Sequence, residues 1–570
     1  MAQAQRPPTP SPAAGITAAG LRLSIAGNAL LDGAAFAISS CRKVALVGRN
    51  GSGKSTLLET LRAVADSGRP PEHVELSGNL TFAPGTVLAS LPQSPQLAFA
   101  GTARAYLDAQ AGPASAAWNR NQELTAALAA GRQDEALLRE YGEVLDTMAR
   151  LSAWSYPQRV AEVTAGLGLT DELLSRPLAA VSGGQATRLA LAGVLLSPAN
   201  VILLDEPSNN LDLPSLRFLA WWIRASTIAL ILVSHDRQLI DATVDEVLEI
   251  EEHTRRLRLY GGDYSFYARC KREEFEAQLR RYSEQQERRA QLEASARSAA
   301  ARAQRFQATS QNDFYRGKGA RVAKLAKAQQ ARIGRDLKRI EEPEPPAQPR
   351  LVVAEGGGRQ GLLLKMADVG FAFGDATVLQ GVTISIRGGD HVALLGPNGS
   401  GKSTLLRLLA GELAPGWGTI ERAPGLRVAY LTQEPTIEDW KASLLDFGLR
   451  RFDGPAEELR AILGKVLFAD PARVRTGDVS LGELRRIECA ALFASAPELA
   501  LLDEPTNHLD LLSVEMLEAA VAEYHGALVV VSHDQRFLES LRPTSVFQLG
   551  NRASGFDVVT DWRPARLTDP

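Results

Sequence analysis

Residues 43–55 read KVALVGRNGSGKS, and residues 391–403 read HVALLGPNGSGKS. In each, a short apolar run suited to a buried strand leads into a glycine-rich loop, and a helix opens directly after it. The glycines let successive backbone N–H groups curl around phosphates at a helix N-terminus. Gly48, Asn50, Gly51, Gly53, Lys54, Ser55 and Thr56 are therefore candidate nucleotide-binding residues. So are Gly396, Asn398, Gly399, Gly401, Lys402, Ser403 and Thr404. Lys54 and Lys402 should reach the β- and γ-phosphates, and Ser55 and Ser403 should hold Mg2+. One such loop could arise by chance. Two in the same strand–loop–helix setting mark an internal repeat.

Two further pairs follow the same order. Residues 201–207 read VILLDEP, and residues 501–505 read LLDEP. An aspartate at the end of a buried strand can bind Mg2+ through water, and the next carboxylate can polarise an attacking water. Asp205 and Asp503 are thus candidate metal ligands, and Glu206 and Glu504 candidate general bases. About thirty residues later, residues 233–236 and 531–534 both read VSHD. Their recurrence makes His235 and His533 candidate sensors of the γ-phosphate and completes the expected catalytic set.

Between loop and acidic pair lie residues 181–185, VSGGQ, and residues 479–483, VSLGE. With these in place the chain resembles a tandem ATP-binding-cassette protein of the ABC-F class, over nearly its whole length. The fold implied is α/β, two P-loop ABC-type ATPase cassettes joined by a long basic α-helical hairpin linker. The resemblance implies ATP hydrolysis with ATP and Mg2+ at two composite sites. Lys54 would act with Ser480 and Gly482, and Lys402 with Ser182 and Gly184. Gly183, Gln185 and Glu483 belong to the same nucleotide-contacting motifs. Gln93 and Gln433 look like Q-loop residues near the metal. Asp212 and Asp510 sit in the D-loops, with His508 in one and Asn210 in the other. The family also implies a cytoplasmic protein whose linker enters the ribosome and meets ribosomal RNA and the P-site transfer RNA. It would there adjust translation or displace an antibiotic.

Two departures fall on the expected Lys54 site. An offset of 348 pairs Phe373, which suits stacking on adenine, with Ile25, which does not. Leu481 replaces the first signature glycine, and its Cβ is expected to crowd the approach of the opposite cassette.

The linker carries the charge. Between residues 297 and 339 lie Arg297, Arg302, Arg305, Arg316, Lys318, Arg321, Lys324, Lys327, Arg332, Arg335, Lys338 and Arg339, opposed by Asp313 and Asp336. That is about +10 on a chain of net charge −3, an isolated basic element on an acidic body. Phe306, Phe314 and Tyr315 are interleaved, the composition that stacks on unpaired bases. Residues 271–303 lack Gly and Pro and should be helical, with a tip near 307–319 and a return helix stopped by the Pro-rich run 341–346.

The expected organisation is a disordered tail at 1–15, a first cassette at 16–264, the linker at 265–345 and a second cassette at 346–570. Gln93 to Ser182 spans 89 positions and Gln433 to Ser480 spans 47. The extra residues, around 114–150, read as a short helical arm or an unrelated surface insertion. Three scattered cysteines fit a reducing compartment, and the dispersed histidines form no metal cluster. No apolar run approaches a membrane span, so no integral membrane segment is expected. That argues against the alternative of an ATP-binding subunit of an exporter. Complete cassettes joined by about eighty residues argue against a chromosome-associated ATPase, and no DNA partner is expected.

Overall fold

The computed structural model describes residues 14–308 and 350–559, apart from breaks at 94, 96, 98, 132–133, 210, 252–253, 355, 357, 375, 467–469 and 551–555. It also describes residues 324, 325, 328, 331 and 332. The chain divides into two compact units, Met1–Tyr264 with Pro349–Pro570, and Ser265–Gln348.

The first unit contains two cassettes of one plan. Five-residue runs such as Val201–Asp205, Ala229–Val233 and Ala527–Val531 are buried at every position. Such continuous apolar strands are stable only with both sheet faces covered, which favours a parallel sheet. In the first cassette the sheet order is Leu88–Leu91, Val201–Asp205, Ala229–Val233, Lys43–Val47, Glu246–Ile250, Leu257–Gly261. Five of these strands run parallel, and Leu257–Gly261 pairs antiparallel at one edge. The second cassette repeats this with Val428–Leu431, Leu499–Asp503, Ala527–Val531, His391–Leu395, Ser545–Leu549, Phe556–Val559.

Each cassette adds a three-stranded antiparallel sheet, Asn28–Ser39, Ala14–Ile25, Glu75–Phe82 in one and Ala376–Arg387, Leu362–Phe373, Trp417–Arg422 in the other. Apolar cores join these sheets to the parallel ones and to the helices Lys54–Ser67 and Lys402–Ala410. The catalytic loops therefore emerge from strands clamped on both faces. The extra residues of the first cassette form two helices, Pro113–Ala129 and Glu135–Arg150. Met148 and Ala117 close a small core of their own there with Trp118 and Val144, and Arg120 pairs with Glu140.

The second unit holds most of the helix Tyr264–Ala308, 45 residues long and about 67 Å at 1.5 Å per residue. It begins earlier and runs further than the expected 271–303, because residues 264–270 and 304–308 likewise contain no Gly or Pro. The expected tip and the Pro-rich stop lie outside the described residues. Of the return helix, residues 324, 325, 328, 331 and 332 are described and are helical. Among the described residues no helix is long and apolar enough to cross a membrane.

Candidate active site

Each phosphate loop ends at a glycine in the left-handed region, Gly53 at φ 96° and Gly401 at φ 97°. A Cβ at Gly401 would also meet side-chain methyl groups of Leu379 and Val378 at 2.9 Å, which would have to shift. The lysine that follows is buried in both cassettes. Lys54 Nζ donates to the carbonyls of Gly48 at 2.7 Å and Arg49 at 3.0 Å. Lys402 Nζ does the same to Gly396 at 2.8 Å and Pro397 at 3.0 Å. Both ammonium groups are thus held at the rim of the loop.

The acidic pairs sit where strands stop. Asp205 and Asp503 are buried, which raises their pKa, while the hydroxyls of Ser55 and Ser403 bond to the respective carboxylates and oppose that shift. Glu206 and Glu504 adopt φ of 51° and 47°, a conformation that costs a glutamate roughly 1–3 kcal/mol. Each is held there by its N–H, which donates to Val233 O or Val531 O at 2.8 Å. Burial, with the neighbouring aspartate, pushes the Glu206 pKa up to about 8. Burial pushes Glu504 up to about 8 as well. His235 Nε2 lies 3.2 Å from Glu206 Oε1, and His533 Nε2 lies 3.3 Å from Glu504 Oε1. Burial and the nearby lysine lower the histidines, His235 to about 3 and His533 to about 4, so both are neutral at pH 7.

The two cassettes meet at these loops. Asn50 Nδ2 donates to His508 O at 3.0 Å, and its backbone N–H faces Asp510 Oδ2 at 3.4 Å. Asp510 adds to the charges around Lys54, and Asp212 to those around Lys402 and His533. A Cβ at Gly482 would lie 2.2 Å from His508 O and 2.3 Å from Asn50 Nδ2. Glycine is thus what permits this approach. The cassettes approach here with Leu481 in place: its side chain lines the shared cleft and is 40% exposed, and at the matching Gly183 a Cβ would meet open space.

One cleft, shared by the cassettes, is lined by Lys54, Ser55, Gln93, Glu206 and His235 from the first and by Ser480 and Gly482 from the second. Asn50, Gly51, Gly53, Thr56 and Asp205 line it too, as do Gly183, Gly184, Gln433, Glu504 and His533. Ile25 is in its wall, whereas Phe373 is 53% exposed and packs edge-on against Phe371 at 4.9 Å. Asn398, Gly399, Ser403 and Thr404 occupy the matching loop and first turn of the second cassette, and Asn210 is outside the described residues.

Gln185 and Glu483 also act within their own helices. Each accepts the N–H of its own N-cap serine, Ser182 at 3.0 Å and Ser480 at 2.9 Å, while the serine hydroxyl accepts the N–H of residue 185 or 483. These capping boxes fix both signature-helix N-termini and leave Gly183, Gly184 and Gly482 facing the cleft.

The residues fit a nucleotide and a divalent cation. Ser52 Oγ, Ser400 Oγ, Asp205 Oδ1, Glu206 Oε1 and Glu504 Oε1 are buried without a hydrogen-bond partner. They sit beside a serine–aspartate pair and a backbone cradle, the donor set that suits a phosphate-bound hard cation.

Comparison with known proteins agrees. The ABC transporter family model matches residues 31–209 and 379–507, more than half of the chain. The probable ATP-binding protein YheS of Escherichia coli K12 is 35% identical over 528 residues, covering 90% of this chain and 75% of that protein. Human ATP-binding cassette sub-family F member 3 is 29% identical over 531 residues, covering 90% and 68%. A solved structure titled as a model of ribosome-bound archaeal Pelota and ABCE1 has the same fold, with a TM-score of 0.55 at 19% identity, covering 94% of this chain and 78% of that one. Fold and site thus define a tandem-cassette enzyme that hydrolyses ATP. The chain belongs to the ABC-F family of ATP-binding-cassette proteins.

Proposed function

We propose that this ATPase acts on the ribosome, binding ATP at two composite sites and carrying the resulting change of cassette geometry into its basic linker. The observation that carries the reading is the contact of Asn50 with His508 and Asp510. It joins one cassette's phosphate loop to the other's D-loop at the point where the phosphates would lie. Contacts that exist only when the cassettes close on ATP bias closure, and hydrolysis removes them.

In each site the lysine and the loop N–H groups hold the phosphates. Ser55 and Asp205, with Gln93, would hold Mg2+ in one site, and Ser403 and Asp503, with Gln433, in the other. When bound, the cation neutralises developing phosphate charge. Glu206 and Glu504 take the proton from the attacking water, and their raised proton affinity suits that task near neutral pH. The neutral imidazoles of His235 and His533 stand beside these carboxylates and orient toward the γ-phosphate. Ser182 with Gly184, and Ser480 with Gly482, close the sites from the opposite cassette.

Two features support the ribosome as partner. The sequence of the long helix beyond Glu293 contains Arg297, Arg302 and Arg305 and no carboxylate, a composition suited to phosphate backbones. A structural relative is titled as ribosome-bound.

The test is sedimentation of the paired Glu206→Gln, Glu504→Gln variant with ribosomes and ATP. Co-sedimentation, and inhibition of cell-free translation that is lost on deleting residues 307–319, is the expected result. A variant that binds ATP yet stays in the supernatant, or prefers duplex DNA or membranes, would overturn the reading.

A further inference from the structure

One charged group of the second cassette is buried more completely than any motif would require. Arg485 lies in the second turn of the signature helix Leu481–Ser495 and is 0% exposed. Its guanidinium donates to Thr432 O at 2.7 Å, to Gln433 O, and to Glu488 Oε2 at 3.2 Å. Glu488, 1% exposed, takes a second arginine on its other oxygen, Arg451 at 2.9 Å. Arg451 in turn donates to Thr436 O at 3.3 Å and lies over the Phe447 ring at 4.5 Å. Two arginines anchored on one carboxylate therefore grip three carbonyls of the Gln433 loop.

Among the described residues the first cassette shows no such grip at this position. Aligned on the N-cap serines, Thr187 stands where Arg485 does and Ala190 where Glu488 does. The Thr187 hydroxyl bonds back to Gly183 O at 3.1 Å within its own helix.

We propose that Arg485 is a positioning residue that ties the geometry of the Lys54 site to the occupancy of the Lys402 site. Gln433 belongs to the Lys402 site, whereas the N-terminus of the helix bearing Arg485 presents Ser480 and Gly482 to the Lys54 site. The guanidinium is also close enough to His508 to help burial lower that imidazole's pKa, and His508 is the residue whose carbonyl meets Asn50. A movement of the Gln433 loop on nucleotide binding is thus passed through a rigid, desolvated ionic joint to the other site. With Thr187 in its place the matching path from the Gln93 loop to the Lys402 site lacks such a joint, so the two sites are linked through one joint rather than two. The inference rests on the composite pairing proposed above.

The experiment measures ATP turnover at the Lys54 site of the full chain, without ribosomes, in two backgrounds. Lys402→Ala disables the other site, and Glu504→Gln holds it filled. With Arg485 present, turnover in the two backgrounds should differ about fivefold or more, a common size for coupling between sites. Arg485→Thr should reduce the ratio below about twofold, and Arg485→Lys should retain part of it. Because Arg485→Thr leaves Glu488 buried beside one arginine, Arg485→Met with Glu488→Gln provides a second, charge-balanced test, with thermal unfolding followed in parallel. An unchanged ratio in a folded variant overturns the proposal. Ser480→Ala separates the two readings. If it leaves Lys54-site turnover intact, the composite pairing fails and the coupling with it. If it abolishes turnover while Arg485→Thr leaves the ratio alone, only the coupling fails.

Discussion

Within each cassette the catalytic groups are near copies. The lysine contacts agree to 0.1 Å, the histidine–glutamate separations are 3.2 and 3.3 Å, and both glutamates share the same left-handed backbone. The parts that join the cassettes are not copies. Leu481 faces Gly183 in the alignment, Arg485 faces Thr187, and the bridging ion pairs occupy unmatched positions. Arg237 pairs with Glu518, whereas Arg536, one position further along its own helix, pairs with Asp241. Matching groups in unequal surroundings leave room for the two sites to be controlled differently.

The largest expected effect tests the duplicated half. Glu206→Gln together with Glu504→Gln should cut phosphate release by about 10²-fold or more while retaining ATP, because a general base contributes about 10²–10⁴-fold. Retention of nucleotide on gel filtration checks the second half of that statement. If each single substitution leaves half of the turnover, the sites run independently, and a far larger loss from one of them would show which leads.

Glycine positions sharpen the contrast at the joint. Gly482→Ala brings a Cβ against His508 O and Asn50 Nδ2, so Lys54-site turnover, measured in the Glu504→Gln background, should fall by about tenfold or more. Gly183→Ala adds a Cβ in open space at the other site and should change turnover, measured in the Glu206→Gln background, by less than about twofold.

The ion pairs should also rank. Arg237 and Glu518 are 7% and 18% exposed, Arg536 and Asp241 30% and 19%. Breaking the more buried pair with Arg237→Ala should cost about 3 kcal/mol, and Arg536→Ala about 1 kcal/mol after solvent screening. Calorimetric unfolding of both variants reads the difference. Equal losses would mean that burial does not set the strength of this joint.

The smallest effect concerns pH. Burial, and then Asp534 across the joint, raises the Asp236 pKa to about 6 from an ordinary 3.8. A carboxyl whose folded pKa is raised contributes stability below about pH 4 that disappears as pH climbs through 6. Asp236→Asn keeps a side-chain oxygen for the N–H groups of Gln238 and Leu239, which Asp236 Oδ1 accepts at 2.9 and 3.0 Å. It should therefore raise Tm at pH 8 and change it little at pH 4. A uniform shift at both pH values would remove the aspartate pair as its cause.

The repeated loops, the acidic pairs, the histidines and the basic linker were legible because each is written in neighbouring residues. A glycine that must be left-handed, a capping serine three residues before its partner, or a helix without Gly or Pro needs only local backbone chemistry. The sequence alone therefore determined a twice-repeated ATPase and the residues of its cradle. Some local roles were less visible. Gln185 and Glu483 lie within the binding motif and also cap their own helices, and Leu481 both lines the cleft and is 40% exposed.

Only the tertiary structure decided how the halves touch. Asn50 and His508 are 458 positions apart, and no local pattern distinguishes an asparagine that crosses to another cassette from one that stays in its loop. The same holds for Arg485, which reads as one more surface arginine of a helix until Glu488, Arg451 and the Gln433 loop enclose it. The charge becomes consequential through desolvation, and desolvation comes from packing between distant segments, which the order of residues along the chain does not express.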